Sequence, residues 1–314
     1  LFPQQITYEA GIERLSWVDA VAALRAGHQG PRAQIADMFL GPSNGTLLSR
    51  GAYIEGLGYG VKSVTVFGAN PKAGLPTVQG AMLVFEPTHG RLEAIIDSRV
   101  VTEIKTASDS VLGALLLARP ESQNLLIVGA GTVARSLIAA YSALFPQLTR
   151  ISIWARRPDQ AEALARAHVG SKVPVTTVVN LECAAALADI ISSATMARQP
   201  ILQGAWIKPG THIDLIGAYK EDMREADDAL IAKGAIFVDC RETTITHIGE
   251  LAIPIERGVI SADSVLGDLY DLIGDRALGR QGPDMVTIFK NGGGAHLDLM
   301  IASYIKRNSI GAHT

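Results

Sequence analysis

Cysteine is nearly absent from this chain. Two thiols, Cys183 and Cys240, occur in 314 residues. Both fall in apolar or strand-like runs, so no disulfide framework is expected and a reducing cytosol suits the chain. Charge of one sign is also lacking. Twenty-eight Lys and Arg face thirty-one Asp and Glu, for a net charge of −3, which leaves no basic face to meet the phosphates of a nucleic acid. Long apolar runs are missing too. Each is broken by a charge, Gly or Pro before it reaches membrane-spanning length, so no membrane partner is expected. Leu1-Phe2-Pro3-Gln4 shows no basic region ahead of an apolar core, so no signal peptide is expected. The seven histidines lack paired metal-ligand spacing, so no zinc site is expected. A G-x-S-x-G nucleophile elbow is absent. Asp239-Cys240-Arg241 reads as a buried structural cysteine at a strand end rather than a reactive one. What remains is a 48% hydrophobic, 19% charged chain with length for about two domains. The expectation is a soluble, cytoplasmic enzyme.

The most informative stretch is Asn124 to Arg157. An apolar run, Leu125 to Val128, enters Gly129-Ala130-Gly131-Thr132-Val133-Ala134, a helical pattern follows, and a second apolar strand runs from Arg150 to Trp154. Gly129 permits a tight turn, Gly131 lets backbone approach a pyrophosphate, and Ala134 allows close packing of helix on strand. The helix N-terminus at Thr132 and Val133 favours phosphate charge. This is the pattern of a dinucleotide-binding turn. An NAD site places an acidic residue about 20 residues past the glycines, on the ribose hydroxyls. Here the second strand ends in Trp154-Ala155-Arg156-Arg157. Two guanidiniums attract a 2′-phosphate and bind it bidentately, so NADP(H) is favoured, with NAD(H) possible. The competing reading is two solvated arginines opening a helix.

Helices and strands alternate from residue 124 to about 240, with strands expected at Leu125–Val128, Arg150–Trp154, Val173–Val178, Asp189–Ser192, His212–Ile216 and Ala235–Asp239. The helices between include 132–143 and 158–167. Such alternation predicts a parallel sheet covered on both faces. The first 120 residues read as a mixed or antiparallel sheet, with strands at Gly60–Phe67 and Ala81–Phe85. A helix is expected from Asp97-Ser98 to about Ala118, with a wide apolar stripe of Val101, Ile104, Val111, Leu112, Leu115 and Leu116. A terminal helix, 295–305, is expected to return to the first domain.

Three cations of the first domain are candidates for a substrate site. Lys62 shares a strand face with Val64 and Val66. Lys105 falls on the apolar face of the long helix, with Ser108 beside it. Arg32 lies in a loop leading into a strand. Each alone is more often a snorkelling surface cation. Burial of any of them calls for an anionic partner.

With these residues in view, the chain resembles the ornithine cyclodeaminase/mu-crystallin family over nearly its full length. The matching blocks are GVKSVTVF (60–67), GLPTVQGAMLVFEPTHGRLEAIID (74–97), TEIKTASDSVLGA (102–114), LLIVGAGTVARS (125–136), THIDLIGAYKEDMRE (211–225) and TIFKNGGGAHLDL (287–299). The resemblance implies an α/β fold, with a Rossmann-type dinucleotide-binding domain (121–287) inserted in a smaller α+β substrate and dimerisation domain (1–120, with 288–314 returning to it). It also implies a homodimer. It assigns Arg32, Lys62 and Lys105 to the carboxylate of an imino or amino acid, and Thr195, Asn291 and Gly293 to the cofactor. Three positions depart from the family pattern. Lys105 stands where Arg is usual, which keeps the charge but loses the fork geometry. Asn291-Gly292-Gly293 replaces a Ser-x-Gly beside the nicotinamide. Glu225 matches a family Glu, but Tyr219 occupies the position of the catalytic Asp of cyclodeaminases.

Without that Asp, the deamination base is missing. The reading is therefore NADPH-dependent reduction of a cyclic imino acid such as Δ1-pyrroline-2-carboxylate. Lys62 is the expected proton donor and Tyr219 a second candidate. The alternatives are an NAD-dependent ornithine cyclodeaminase and a non-enzymatic, NADP(H)-dependent small-ligand binder.

Overall fold

The computed structural model describes residues 2–42 and 44–310. Leu1 and the last residues of the returning segment, 311–314, lie outside the described residues. The chain divides into two units, Leu1–Lys105 with Gly294–Thr314, and Thr106–Gly293.

The first unit is built on six strands, β1 (Gln4–Ile6), β2 (Gln34–Leu40), β3 (Thr46–Ile54), β4 (Gly58–Val66), β5 (Val78–Phe85) and β6 (Leu92–Asp97). They lie in the order β1-β6-β5-β4-β3-β2. All neighbours pair antiparallel except β1, which runs parallel to β6. Alternation sets the two faces. Lys62, Val64, Met82, Val84, Ala94 and Ile96 are buried, whereas Val61, Leu83 and Ile95 on the opposite face stay half-buried. Two helices, Trp17–Gln29 and Ala295–Ile310, pack on each other, and the second lies along β3 and β4. Gly60 is what lets it approach, because a Cβ there would sit 2.9 Å from Leu299. The terminal helix thus returns to the first unit, and it runs five residues past the expected end at Ile305.

The second unit holds a parallel sheet of eight strands: β7 (Asn124–Val128), β8 (Arg150–Trp154), β9 (Val175–Thr177), β10 (Ile190–Ser193), β11 (His212–Leu215), β12 (Ala235–Val238), β13 (Val265–Asp268) and β14 (Thr287–Lys290). Their order is β13-β12-β14-β11-β10-β7-β8-β9. Leu126, Val128, Ile191, Ile213, Leu215 and Ile288 form its core with the flanking helices. The order reverses direction between β7 and β10. In open α/β sheets that switch point is where ligands bind, at the carboxyl ends of the strands. This is an α/β, Rossmann-type fold.

Two boundaries differ from the sequence expectation. The first unit ends at Lys105, not near 120, and it resumes at Gly294, not 288. The cause is the long helix Ser98–Leu117, which runs across the division. Its second half belongs with β14. The Asn291 amide donates to the Thr106 carbonyl (3.1 Å) and to Ser110 Oγ (2.9 Å), and the Thr287 hydroxyl donates to the Leu117 carbonyl (3.1 Å). Gly113 leaves room for the Phe289 ring, which a Cβ would meet at 2.6 Å. The helix is also buried around most of its girth, so Lys105 and Ser108 are as enclosed as the apolar stripe, while Leu115, expected inside, is 38% exposed.

Candidate active site

Lys62 stands in the middle of β4, with Arg50 of β3 and Met82 of β5 as its cross-strand neighbours. Its ammonium donates to Asp298 Oδ1 at 2.7 Å and reaches Thr102 Oγ1 at 3.4 Å. Asp298 lies in the first turn of the helix Ala295–Ile310. Lys105 comes in from the long helix, and like Lys62 it is only 6% exposed. Burial pushes the Lys62 ammonium below the usual lysine range. Asp298 pulls the other way, and Lys105 and Arg50 add to the lowering. Asp298 itself is held below the ordinary carboxylate range. Burial opposes its ionisation, but Lys62, Lys105 and Arg50 outweigh that. Arg50 is also clamped to Asp37 through Nη2 at 2.7 Å and Nε at 3.0 Å.

A buried imidazole closes this cluster. His296 makes an edge contact with His28, ring centres 5.5 Å apart. Burial, and then the charges of His28, Lys105, Arg50 and Arg32, hold His296 well below the usual histidine range. The ring is neutral near pH 7 in a field of cations. Two like-charged buried lysines repel each other, and a small carboxylate beside them relieves that repulsion. Lys62 and Lys105 lie within electrostatic reach of each other and of Asp298. Arg32 is exposed ahead of β2, within electrostatic reach of His296. Arg50, Asp298, His28 and His296 were not singled out from the sequence. For Arg50 the missing signal was strand register, which no periodicity reveals.

In the second unit the turn after β7 has the expected form. Gly129 has φ +122°, and a Cβ on it would lie 2.5 Å from the Ala194 carbonyl oxygen. Gly131 ends the turn as N-cap of the helix Thr132–Leu144, makes no side-chain cap bond, and faces open space where a Cβ would be. Ala134 behind it is fully buried. Free amides at a helix N-terminus and a bare backbone fit a pyrophosphate, so Gly129, Gly131, Thr132 and Val133 suit the dinucleotide. Arg156 and Arg157 are exposed just past β8, and Arg157 is N-cap of the helix Pro158–Arg166.

Below this turn lies a buried ionic network. Glu225 accepts from Ser193 Oγ (2.7 Å), Thr195 N (2.8 Å), Thr195 Oγ1 (2.7 Å) and Gly217 N (2.6 Å). Glu250 accepts from the backbone of Glu225 and Ala226. Asp239 accepts from the amides of Gly292 and Gly293. Lys290 donates to the carbonyls of Leu215 and Asn291. Burial pushes Asp214 and Glu250 each up to about 7, and it raises Glu225 as well. The Lys290 ammonium, lowered by the same burial, is supported by all four carboxylates. Thr195 and Gly293 thus sit on backbone held by buried acids, and the Asn291 amide braces the long helix. Tyr219 is half exposed, with Lys220 Nζ 5.6 Å from its ring centre. The Cys240 thiol is pushed up to about 12, by burial first and then by Glu242, as suits a structural cysteine. Cys183 is exposed.

The model of the ornithine cyclodeaminase/mu-crystallin family matches residues 14–312. The chain belongs to this family. The family member Δ1-pyrroline-2-carboxylate reductase of Paracoccus denitrificans is 63% identical over 305 residues, which cover 97% of this chain and 96% of that protein. Ketimine reductase mu-crystallin of Mus musculus is 32% identical over 78% of this chain and 74% of its own length. The solved structure of Thermococcus litoralis Δ1-pyrroline-2-carboxylate reductase with NADH and L-proline matches with a TM-score of 0.91, at 25% identity, over 98% of both chains. This member of the family is an NAD(P)-dependent oxidoreductase.

Proposed function

We propose that this oxidoreductase reduces a cyclic imino acid that carries an α-carboxylate, with Δ1-pyrroline-2-carboxylate as the representative substrate and NADPH as the preferred donor. The observation that carries the reading is the pair of buried ammoniums, Lys62 and Lys105, gathered around Asp298. The 63% identity to a Δ1-pyrroline-2-carboxylate reductase supports the choice of ring. Lys62, Lys105 and Arg32 bind the substrate carboxylate and so fix the ring in one orientation, which lowers the entropic cost of reaction. Reduced nicotinamide, when bound, supplies the hydride that the imine carbon accepts. The imine nitrogen needs one proton. Lys62 delivers it directly or through a water, and burial, by lowering its pKa, makes the ammonium a readier proton donor. Asp298 keeps the Lys62 ammonium oriented between turnovers. Tyr219 is the second candidate donor. Gly129, Gly131, Thr132, Val133, Thr195 and Gly293 hold the dinucleotide, and Arg156 with Arg157 take the 2′-phosphate. The protein works as a homodimer.

The direct test is to mix purified protein with NADPH and Δ1-pyrroline-2-carboxylate and to follow the reduced-nicotinamide absorbance. Stoichiometric loss of absorbance and formation of proline are expected. Inertness toward the imine, together with ammonia release from ornithine in the presence of NAD, would replace this reading with a cyclodeaminase. Cofactor binding without turnover on any imino or amino acid would leave a small-ligand binder.

A further inference from the structure

Glu225 is fully buried, yet among the described residues it makes no ion pair at hydrogen-bonding distance; its partners there are four donors on two backbone segments. Three belong to the end of β10 and the residues after it, namely Ser193 Oγ, Thr195 N and Thr195 Oγ1. The fourth is Gly217 N, two residues past β11. One carboxylate therefore ties the carboxyl ends of two adjacent strands together. Gly217 is required there, since a Cβ would fall 2.0 Å from the Thr195 carbonyl oxygen.

The tie reaches the glycine turn directly. Ala194, between the two clamped residues, has its carbonyl oxygen against Gly129, and its amide donates to the Val128 carbonyl at 2.8 Å. Glu225 is itself held, because Glu250 accepts from its amide at 2.8 Å and from that of Ala226 at 2.9 Å. Lys290 donates to the carbonyl of Leu215, on the strand that leads to Gly217, at 2.8 Å. Burying a carboxylate is costly unless every acceptor site is used. A fully satisfied buried network holds its elements in one geometry.

We propose that Glu225 is a positioning residue that fixes the nicotinamide end of the bound dinucleotide by clamping the segment around Thr195 to the segment around Gly217. This inference rests on the reading that the second unit binds NAD(P)H, with the nicotinamide half over the end of β10, across the switch point from β8 and its arginines. The adenosine half lies on the other side of the turn, with Arg156 and Arg157, and does not depend on the clamp.

That asymmetry supplies the test. In Glu225→Gln one acceptor oxygen becomes an NH2 group. Two of the four partners are backbone amides, which cannot reverse their role, so the clamp loses at least one bond. Calorimetric titration of the full-length protein compares NADPH with 2′-phospho-ADP-ribose, which lacks the nicotinamide ring. NADPH affinity is expected to fall about ten-fold or more, the scale of one hydrogen bond to a charged group, while 2′-phospho-ADP-ribose binds as in the wild type. Equal weakening of both ligands, or of neither, in a folded variant overturns the proposal. If Glu225→Gln does not fold, Ser193→Ala removes one donor from the same carboxylate and is judged by the same selective loss, at roughly three-fold. Wild-type protein that binds neither NADPH nor NADH would instead overturn the cofactor reading itself, a result visible before any variant is made.

Discussion

Lys62 shows how far a single residue could be read in advance. Period-two alternation in β4 placed it on the face with Val64, and helical spacing placed Lys105 on a buried face; the structure buries both. Neither pattern pointed to Asp298 or Arg50, which meet Lys62 only through the packing of the terminal helix and the β3–β4 register. Lys62→Met removes the proposed proton donor. The expected result is a fall in kcat of about 10²- to 10⁴-fold, the range of general acid catalysis, with NADPH affinity unchanged in a fluorescence titration. A kcat close to wild type would move the proton to another group, Tyr219 first. Asp214 carries a prediction about pH. Burial raises it from 3.8 to about 7, against the pull of hydrogen bonds from Ser192 and Ser110. Between those values the folded protein holds a proton that the unfolded chain has released, so this residue's contribution to stability falls as pH rises through the window. Asp214→Asn removes that dependence. The melting temperature of the variant minus that of wild type should grow from pH 5 to pH 8 (about the window set by the shift), and a constant difference would show that Asp214 does not titrate there.

At the level of elements, the strand–turn–helix around Gly129 was the most legible part of the chain, because buried parallel strands read as unbroken apolar runs. The expected ends of β7, β10, β11 and β12 moved by one residue, and β8 did not move. The first unit was harder to read. β1, β2, β3 and β6 went unassigned, since their pattern follows a sheet whose two faces differ little in polarity. β13 and β14 also went unassigned, and missing β14 placed the second domain boundary too early. At the turn itself, Gly129→Ala forces a side chain into a backbone conformation with positive φ and against the Ala194 carbonyl. A cost of about 1–3 kcal/mol in stability is expected, with loss of dinucleotide binding measured by calorimetry. The proposed 2′-phosphate clamp of the arginines after β8 is tested by comparing the two cofactors. In the Arg156→Ala/Arg157→Ala double variant, NADPH should bind about ten- to a hundred-fold more weakly, on the scale of one or two charge-assisted hydrogen bonds, with NADH unchanged. Equal affinity of wild type for the two cofactors would remove the 2′-phosphate clamp.

For the whole molecule, the insertion of one unit within the other was an implication of the family resemblance, and the residues themselves offered only a change of pattern near residue 120 and a helical signal at the end. The point of division was not legible, because a single helix, Ser98–Leu117, carries residues of both units without a break in secondary structure. The homodimer is an expectation from family resemblance, and the first unit offers a surface on which to test it. One face of the six-stranded sheet takes the terminal helix. The other presents Leu47, Val61, Leu83 and Ile95, half-buried, and Met38 and Leu40, 46% and 54% exposed. These side chains flank the hydrogen-bonded pair Ser49 and Ser63 on the same face, and apolar side chains gathered on an exposed sheet face suit a contact surface. A second copy offers the same patch, as a two-fold interface requires. Light scattering is expected to give twice the chain mass of 33.2 kDa. Leu83→Glu, a charge at the middle of that face, should shift the population to the single-chain mass without unfolding the second unit, which would still bind 2′-phospho-ADP-ribose. A variant that stays dimeric would place the interface on another surface of the chain.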